Sequence, residues 1–122
     1  MDILLDTHIL LWHLEGDSRL KSEKSAMIEE PQNRIFVSLA CLWEVAIKRN
    51  IGKLPKGLSL DKMTPAPMIL LPIQLNHIQQ IETLPLHHRD PFDRLIIAQA
   101  IVDDFFVMTD DPHFKDYPIK LI

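Results

Sequence analysis

The sequence predicts an α/β protein of three layers, α/β/α, in which helices cover both faces of a central, mostly parallel sheet of about five strands. Two observations carry this. Five short apolar runs, Ile3-Leu5, Ile35-Val37, Ile69-Ile73, Phe105-Met108 and Ile119-Leu121, have strand length, and most lack the alternation of a strand with one wet face. Between them lie stretches with apolar residues at helical spacing, and strand alternating with helix implies parallel pairing.

The first strand runs into two short helices over 7–15 and 20–30, separated by the break Gly16-Asp17-Ser18. Helices over 38–50, 74–83 and 91–103 follow the second strand, follow the third strand and precede the fourth. Residues 52–67 hold Lys53, Lys56 and Lys62 with two of the three glycines and three of the nine prolines, which predicts a loop-rich excursion or short helix, a flap over a groove being one use for it. The 122 residues show no internal repeat, low-complexity tract or long linker, so one domain spanning 1–122 is expected.

Composition narrows the class. The chain is 47% hydrophobic and 25% charged, as ordinary globular proteins are. No apolar run approaches the ~20 residues of a membrane span, and no basic-then-apolar leader is seen, so a cytoplasmic location is expected. Cys41 is the only cysteine, which excludes an internal disulfide and reads as a small core residue. A net charge of −4 argues against passive adhesion to nucleic acid, although acids gathered at a cation are partly neutralised by it.

Four acids stand in unusual places. Asp6 ends the run Ile3-Leu4-Leu5 and precedes a helix, the edge at which open parallel sheets bind ligands; taken alone, capping of that helix is the simpler explanation. Glu44 is the only charge in Leu39 to Ile47, and an ionised carboxylate on so apolar a helix needs a cation, a donor or a salt-bridge partner. In Asp90-Pro91-Phe92-Asp93 the first Asp and the Pro are a helix start, whereas Asp93 either completes the cap or turns toward the sheet edge. Asp110 and Asp111 follow the fourth strand, where Asp-Asp-Pro is also turn chemistry. In this topology all four positions fall along one edge, and carboxylates packed together call for a shared cation. Oxygen-only ligation favours Mg2+ or Mn2+. His87-His88-Arg89 lacks zinc-site spacing and is expected in a solvated loop, substrate contact being the lesser reading.

With LLDTHILLW at 4–12, SLACLWEVAIKRNIGKL at 38–54, LPLHHRDPFDRLIIAQA at 84–100 and VMTDDPHF at 107–114, the chain resembles PIN-domain proteins and, within them, the VapC-type toxins of toxin–antitoxin pairs. The ordered set spans nearly the whole chain. The resemblance implies a PIN-like fold and a metal-dependent endoribonuclease that leaves a 5′-phosphate and a 3′-hydroxyl. It implies Asp6, Glu44, Asp93 and Asp111 as catalytic metal ligands for Mg2+ or Mn2+, with Asp90 the helix cap and Asp110 a bystander. Thr7, Ser38 and Thr109 fall beside the acids and are candidates to orient them, as Asp90 is. Lys48, Arg49, Lys53 and Arg94 are candidates for RNA contact. A small antitoxin is the implied partner, its helix laid against the apolar surface around Trp12 and Trp43, and a homodimer is the implied assembly.

Two other enzyme classes fail on the residues. An aspartate-nucleophile phosphatase needs a second Asp where His8 stands, and Gly16, Gly52 and Gly57 cannot make a dinucleotide-binding loop. The remaining alternative is a catalytically silent PIN-fold module that binds RNA or a partner.

Overall fold

A computed structural model describes residues 1–122. Five parallel strands stand in the order β3-β2-β1-β4-β5, with β1 Asp2–Leu5, β2 Arg34–Ser38, β3 Ile69–Leu71, β4 Phe106–Met108 and β5 Lys120–Leu121. Helices α1 Thr7–Glu15, α2 Ser22–Glu29, α3 Leu39–Asn50, α4 Leu75–Ile81 and α5 Pro91–Asp103 complete the three-layer α/β/α arrangement. No helix is long and apolar enough to cross a membrane.

The local sequence accounts for the boundaries. Asp6 caps α1, which Gly16 ends in the left-handed region at φ 64. Ser38 Oγ accepts from Ala40 N–H to start α3. Asp90 accepts from the Phe92 and Asp93 N–H groups, and Pro91 sits where a helix needs no donor. The α5 helix ends on Asp104, in the left-handed region at φ 58, and Phe105 N–H then donates to Ala100 O. Phe105 therefore closes the helix instead of opening the strand.

Burial on both faces holds for the central strands. Ile3, Leu4, Leu5, Val37, Val107 and Met108 are fully buried in a core of 24 apolar residues that also takes in Ile96 and Ile97 of α5. It does not hold for β3, an edge strand with Ile69 and Leu70 exposed. The expected run to Ile73 stops at Leu71 because Pro72 has no N–H for the ladder. The 52–67 excursion holds one turn of 3-10 helix, Leu60–Lys62, and buries Met63. Its residues Leu54 to Leu58 line a cleft with Leu11, Leu14 and Val45, so the groove it borders is the one against α1 and α3. A second 3-10 turn, Pro112–Asp116, follows β4.

Two polar links centred on buried side chains tie α5 to its neighbours. Ser38 donates to Gln99 Oε1 at 2.6 Å, and Gln99 donates to Pro72 O at 3.3 Å, tying α5 to the ends of β2 and β3. Fully buried His77 accepts from Gln74 N–H through Nδ1 and meets Asp103 Oδ2 at 2.7 Å through Nε2. Ser38→Ala removes a helix cap and strands a buried amide oxygen, so it should lower unfolding free energy by about 1–3 kcal/mol. The denaturant midpoint should fall at unchanged m-value; an unshifted midpoint would mean that the link carries no stability.

Candidate functional site

The strand order places β1 between β2 and β4, so the chain reverses its direction across the sheet at the β1/β4 pair. The crevice beyond the carboxyl ends of such a pair is where open α/β sheets bind ligands. Asp6 follows β1 there, its N–H extending the ladder to Met108 O at 3.0 Å. Asp111 follows β4, Glu44 comes from the second turn of α3 and Asp93 from the first turn of α5. The charges of Asp6, Asp90, Glu44 and Asp111 all act on the Asp93 carboxyl, so the four predicted acids lie near one another, with Asp90 among them.

Asp6 is 3% exposed. Its Oδ1 accepts from Thr7 N–H at 2.6 Å and its Oδ2 from the Thr109 hydroxyl at 2.7 Å, so it caps α1 and faces the site at once. Burial raises its pKa, against the Thr109 and Thr7 hydrogen bonds and the charge of His8. Glu44, also 3% exposed, accepts from the Thr7 hydroxyl at 2.7 Å and pairs through Oε2 with Lys48 at 2.7 Å. The salt-bridge partner that its apolar surroundings demand is thus one helical turn away. Asp93 is pushed up to about 8, first by burial and then by the carboxylates around it. Burial pulls Asp111 the same way, but the N–H and imidazole of His113 and the charges of His113 and His88 hold its carboxyl below the usual range. Asp111 also caps the 3-10 turn that begins at Pro112.

Several assignments change. Thr7 and Thr109 touch the acids, but Ser38 hydrogen-bonds Ala40 and Gln99 and none of the four. Arg94 donates to the carbonyls of Leu84, Pro85 and His88 and to Tyr117 Oη, which makes it a staple of the 84–88 loop and not a phosphate contact. Arg49 lines the cleft under the 52–67 segment, leaving Lys48 as the cation at the acids; Lys53 is exposed in the turn after α3. Asp110 pairs with Lys24, outside the cluster. Cys41 is buried and its thiol pushed up to about 12 by burial, as an inert core residue should be.

The expected solvated loop is corrected at His88. Its Nε2 lies 2.7 Å from Asp93 Oδ2 and 3.8 Å from Asp111 Oδ2, and His113 stacks on its ring at 4.8 Å with Nδ1 at 2.9 Å from Asp111 Oδ1. His87 is exposed and rests its ring edge-on against Tyr117. The only sequence signal for His113 was its place two residues after Asp111, and for His88 its place five before Asp93.

Fold and site together define an α/β protein with an acidic cluster, its floor Asp6 and Glu44 buried, at the switch point of a parallel sheet. The chain belongs to the PIN-domain family, whose profile matches residues 3–120. Comparison with curated proteins gives no significant sequence match. Among solved structures, a chain in VapBC2 from Rickettsia felis bound to a DNA fragment from their promoter is similar with TM-score 0.75 at 17% identity, over 100% of this chain and 98% of that one. DNA-bound VapBC from Salmonella typhimurium gives TM-score 0.69 at 14% identity, with 100% and 97% covered. A toxin–antitoxin complex from Klebsiella pneumoniae gives 0.65 at 21% identity, with 98% and 95% covered. At these identities the likeness is one of fold.

A carboxyl with a raised folded pKa binds its proton more tightly in the native state, so its contribution to stability is full below the unfolded value and is lost as pH rises toward about 8. In metal-free protein, Asp93→Asn should therefore gain stability relative to wild type as pH climbs from 4 to 8. Parallel denaturation curves across that range test this, and a constant difference would refute the shift.

Proposed function

We propose that this protein is a metal-dependent endoribonuclease serving as the toxin of a toxin–antitoxin pair, with Asp6, Glu44, Asp93 and Asp111 as its catalytic metal ligands. The observation that carries the reading is the gathering of these carboxylates at one edge of the sheet, where Asp93 is pushed up to about 8 by burial and by its acidic neighbours. PIN domains are in general nucleases, and an all-oxygen donor set of this kind fits Mg2+ or Mn2+. A bound divalent cation would supply polarisation of the phosphate and activation of water.

The chain's own residues do the rest. Thr109 and the Thr7 N–H fix both oxygens of Asp6, and the Thr7 hydroxyl fixes one oxygen of Glu44, so these carboxylates are oriented before a cation arrives. Burial and its acidic neighbours push the Asp93 carboxyl up to about 8, so a bound divalent cation would compete with a proton for it. Lys48 neutralises Glu44 in the resting site; with its side chain 33% exposed on a flexible stem, it can turn to a substrate phosphate.

The partner part of the reading rests on a surface. Trp43 is 54% exposed, its ring edge-on to Phe92 at 5.0 Å, and it lines an almost wholly apolar concavity with Leu39, Leu42, Ala46, Leu60 and Ile73. Such a patch suits the apolar face of an antitoxin helix. Trp12 is half-buried, with the Arg19 guanidinium over its ring at 5.1 Å, and offers less. A homodimer and a cytoplasmic RNA substrate complete the reading.

Purified protein should cleave single-stranded RNA with added Mg2+ or Mn2+ and not in EDTA. Asp6→Asn and Asp93→Asn should lose at least about 100-fold in rate with the fold intact, whereas Asp90→Asn should stay within a few fold because Asn caps as well as Asp. Metal-dependent RNA binding without cleavage would favour the silent-module alternative. Active enzyme should also slow growth on expression, and a helical antitoxin should lose affinity for Trp43→Ser; an equal affinity would move its groove elsewhere.

A further inference from the structure

We propose that His88 is a positioning residue of the acidic site, its Nε2–H gripping Asp93 Oδ2 and so fixing the carboxylate for the cation; the inference rests on the metal-dependent reading above. A histidine between an exposed His87 and an exposed Arg89 would ordinarily be mobile. This one is held on every polar atom. Its backbone N–H donates to Tyr117 Oη at 2.8 Å, and its carbonyl accepts from Arg94 Nη1 at 3.2 Å. Tyr117 is buried and Arg94 is itself tied to Leu84 and Pro85, so the grip on His88 is anchored in the core.

The ring is fixed as well. Arg89 N–H donates to His88 Nδ1 at 3.1 Å. A neutral imidazole carries one N–H, so an accepting Nδ1 puts the proton on Nε2, the nitrogen 2.7 Å from Asp93 Oδ2. What faces the acids is a donor and not a lone pair. That distinguishes two readings of one cluster. The ligand atoms of His88, Asp111 and His113 lie within 4.8 Å of one another, close enough to suggest a mixed nitrogen–oxygen metal site. Ligation through His88 Nε2 would require the proton on Nδ1, pointing at the Arg89 N–H. The backbone thus selects the orienting role over the ligating one, and the stacked His113, bonded to Asp111, holds the neighbouring carboxylate in the same manner.

Partners that orient a ligating carboxylate are typically worth 10–100-fold in metal affinity. The test is a Mn2+ titration of the full chain, followed by the EPR signal of free Mn2+, with melting of the metal-free proteins alongside. His88→Ala should bind Mn2+ about 10–100-fold more weakly. His88→Gln should recover most of the loss, because the Gln amide nitrogen reaches the position of Nε2, whereas the shorter His88→Asn should not. The Gln–Asn contrast decides the matter even if the Ala variant folds poorly. Equal affinity in the Gln and Asn variants, or wild-type affinity in His88→Ala, overturns the positioning role and leaves the metal reading standing. Nitrogen hyperfine coupling on bound Mn2+ that disappears in His88→Gln overturns it in favour of direct ligation. A wild type that binds no Mn2+ removes the metal reading itself, and this proposal with it.

Discussion

The structure depends on the cost of keeping carboxylates ionised where water hardly reaches. Asp6 and Glu44 are each 3% exposed at the floor of the site, and burial of an unpaired charge costs several kcal/mol. The protein meets that cost in three ways. Hydroxyls and N–H groups of Thr7 and Thr109 take up carboxylate oxygens. Lys48 and His88 bring donors to Glu44 and Asp93. What remains uncompensated appears as proton affinity at Asp93, pushed up to about 8. In the proposed reading a divalent cation would take the place of that proton and relieve the repulsion between the carboxylates.

The same residues build the fold. Asp6 starts α1, Asp111 starts the turn after β4, and Asp90 starts the helix that presents Asp93. Capping and ligation were competing explanations of Asp6 in the sequence, yet they are compatible, since each carboxylate oxygen has two lone pairs and a single hydrogen bond uses one. The free N–H groups at the α1 and α5 starts also favour negative charge nearby. Local helix chemistry and the collective acidity of the edge are therefore mutually supporting.

Around this rigid floor the surface elements differ in how firmly they are held. The 84–88 loop looks irregular but is stapled by Arg94 and Tyr117, which converts His88 from a loop residue into part of the site. The apolar face of α3 around Trp43 stays largely exposed, and the two edge strands are short, β5 with only Lys120 and Leu121. Short edges limit pairing with other chains, whereas the Trp43 face does not limit packing.

Much of this was legible from the chain alone. Apolar run length and helical period determined the five strands, the five helices and their order to within a few residues, because each signal is local. Asp6 and Glu44 stood out because each breaks its local pattern, a charge at the end of a buried strand and one inside an apolar helix, whereas Asp93 and Asp111 sit in ordinary helix-start and turn chemistry and were picked out over Asp90 and Asp110 by the family resemblance. Tertiary structure alone decided the rest. Strand order was needed to show that β1 and β4 are neighbours, and so that Asp6 and Thr109, 103 residues apart, share a hydrogen bond. Arg94 and Ser38 carried the composition of site residues but face loop carbonyls and Gln99, and His88 and His113 carried no periodic signal. Side-chain partners across distant segments are set by packing geometry, to which composition and period are blind.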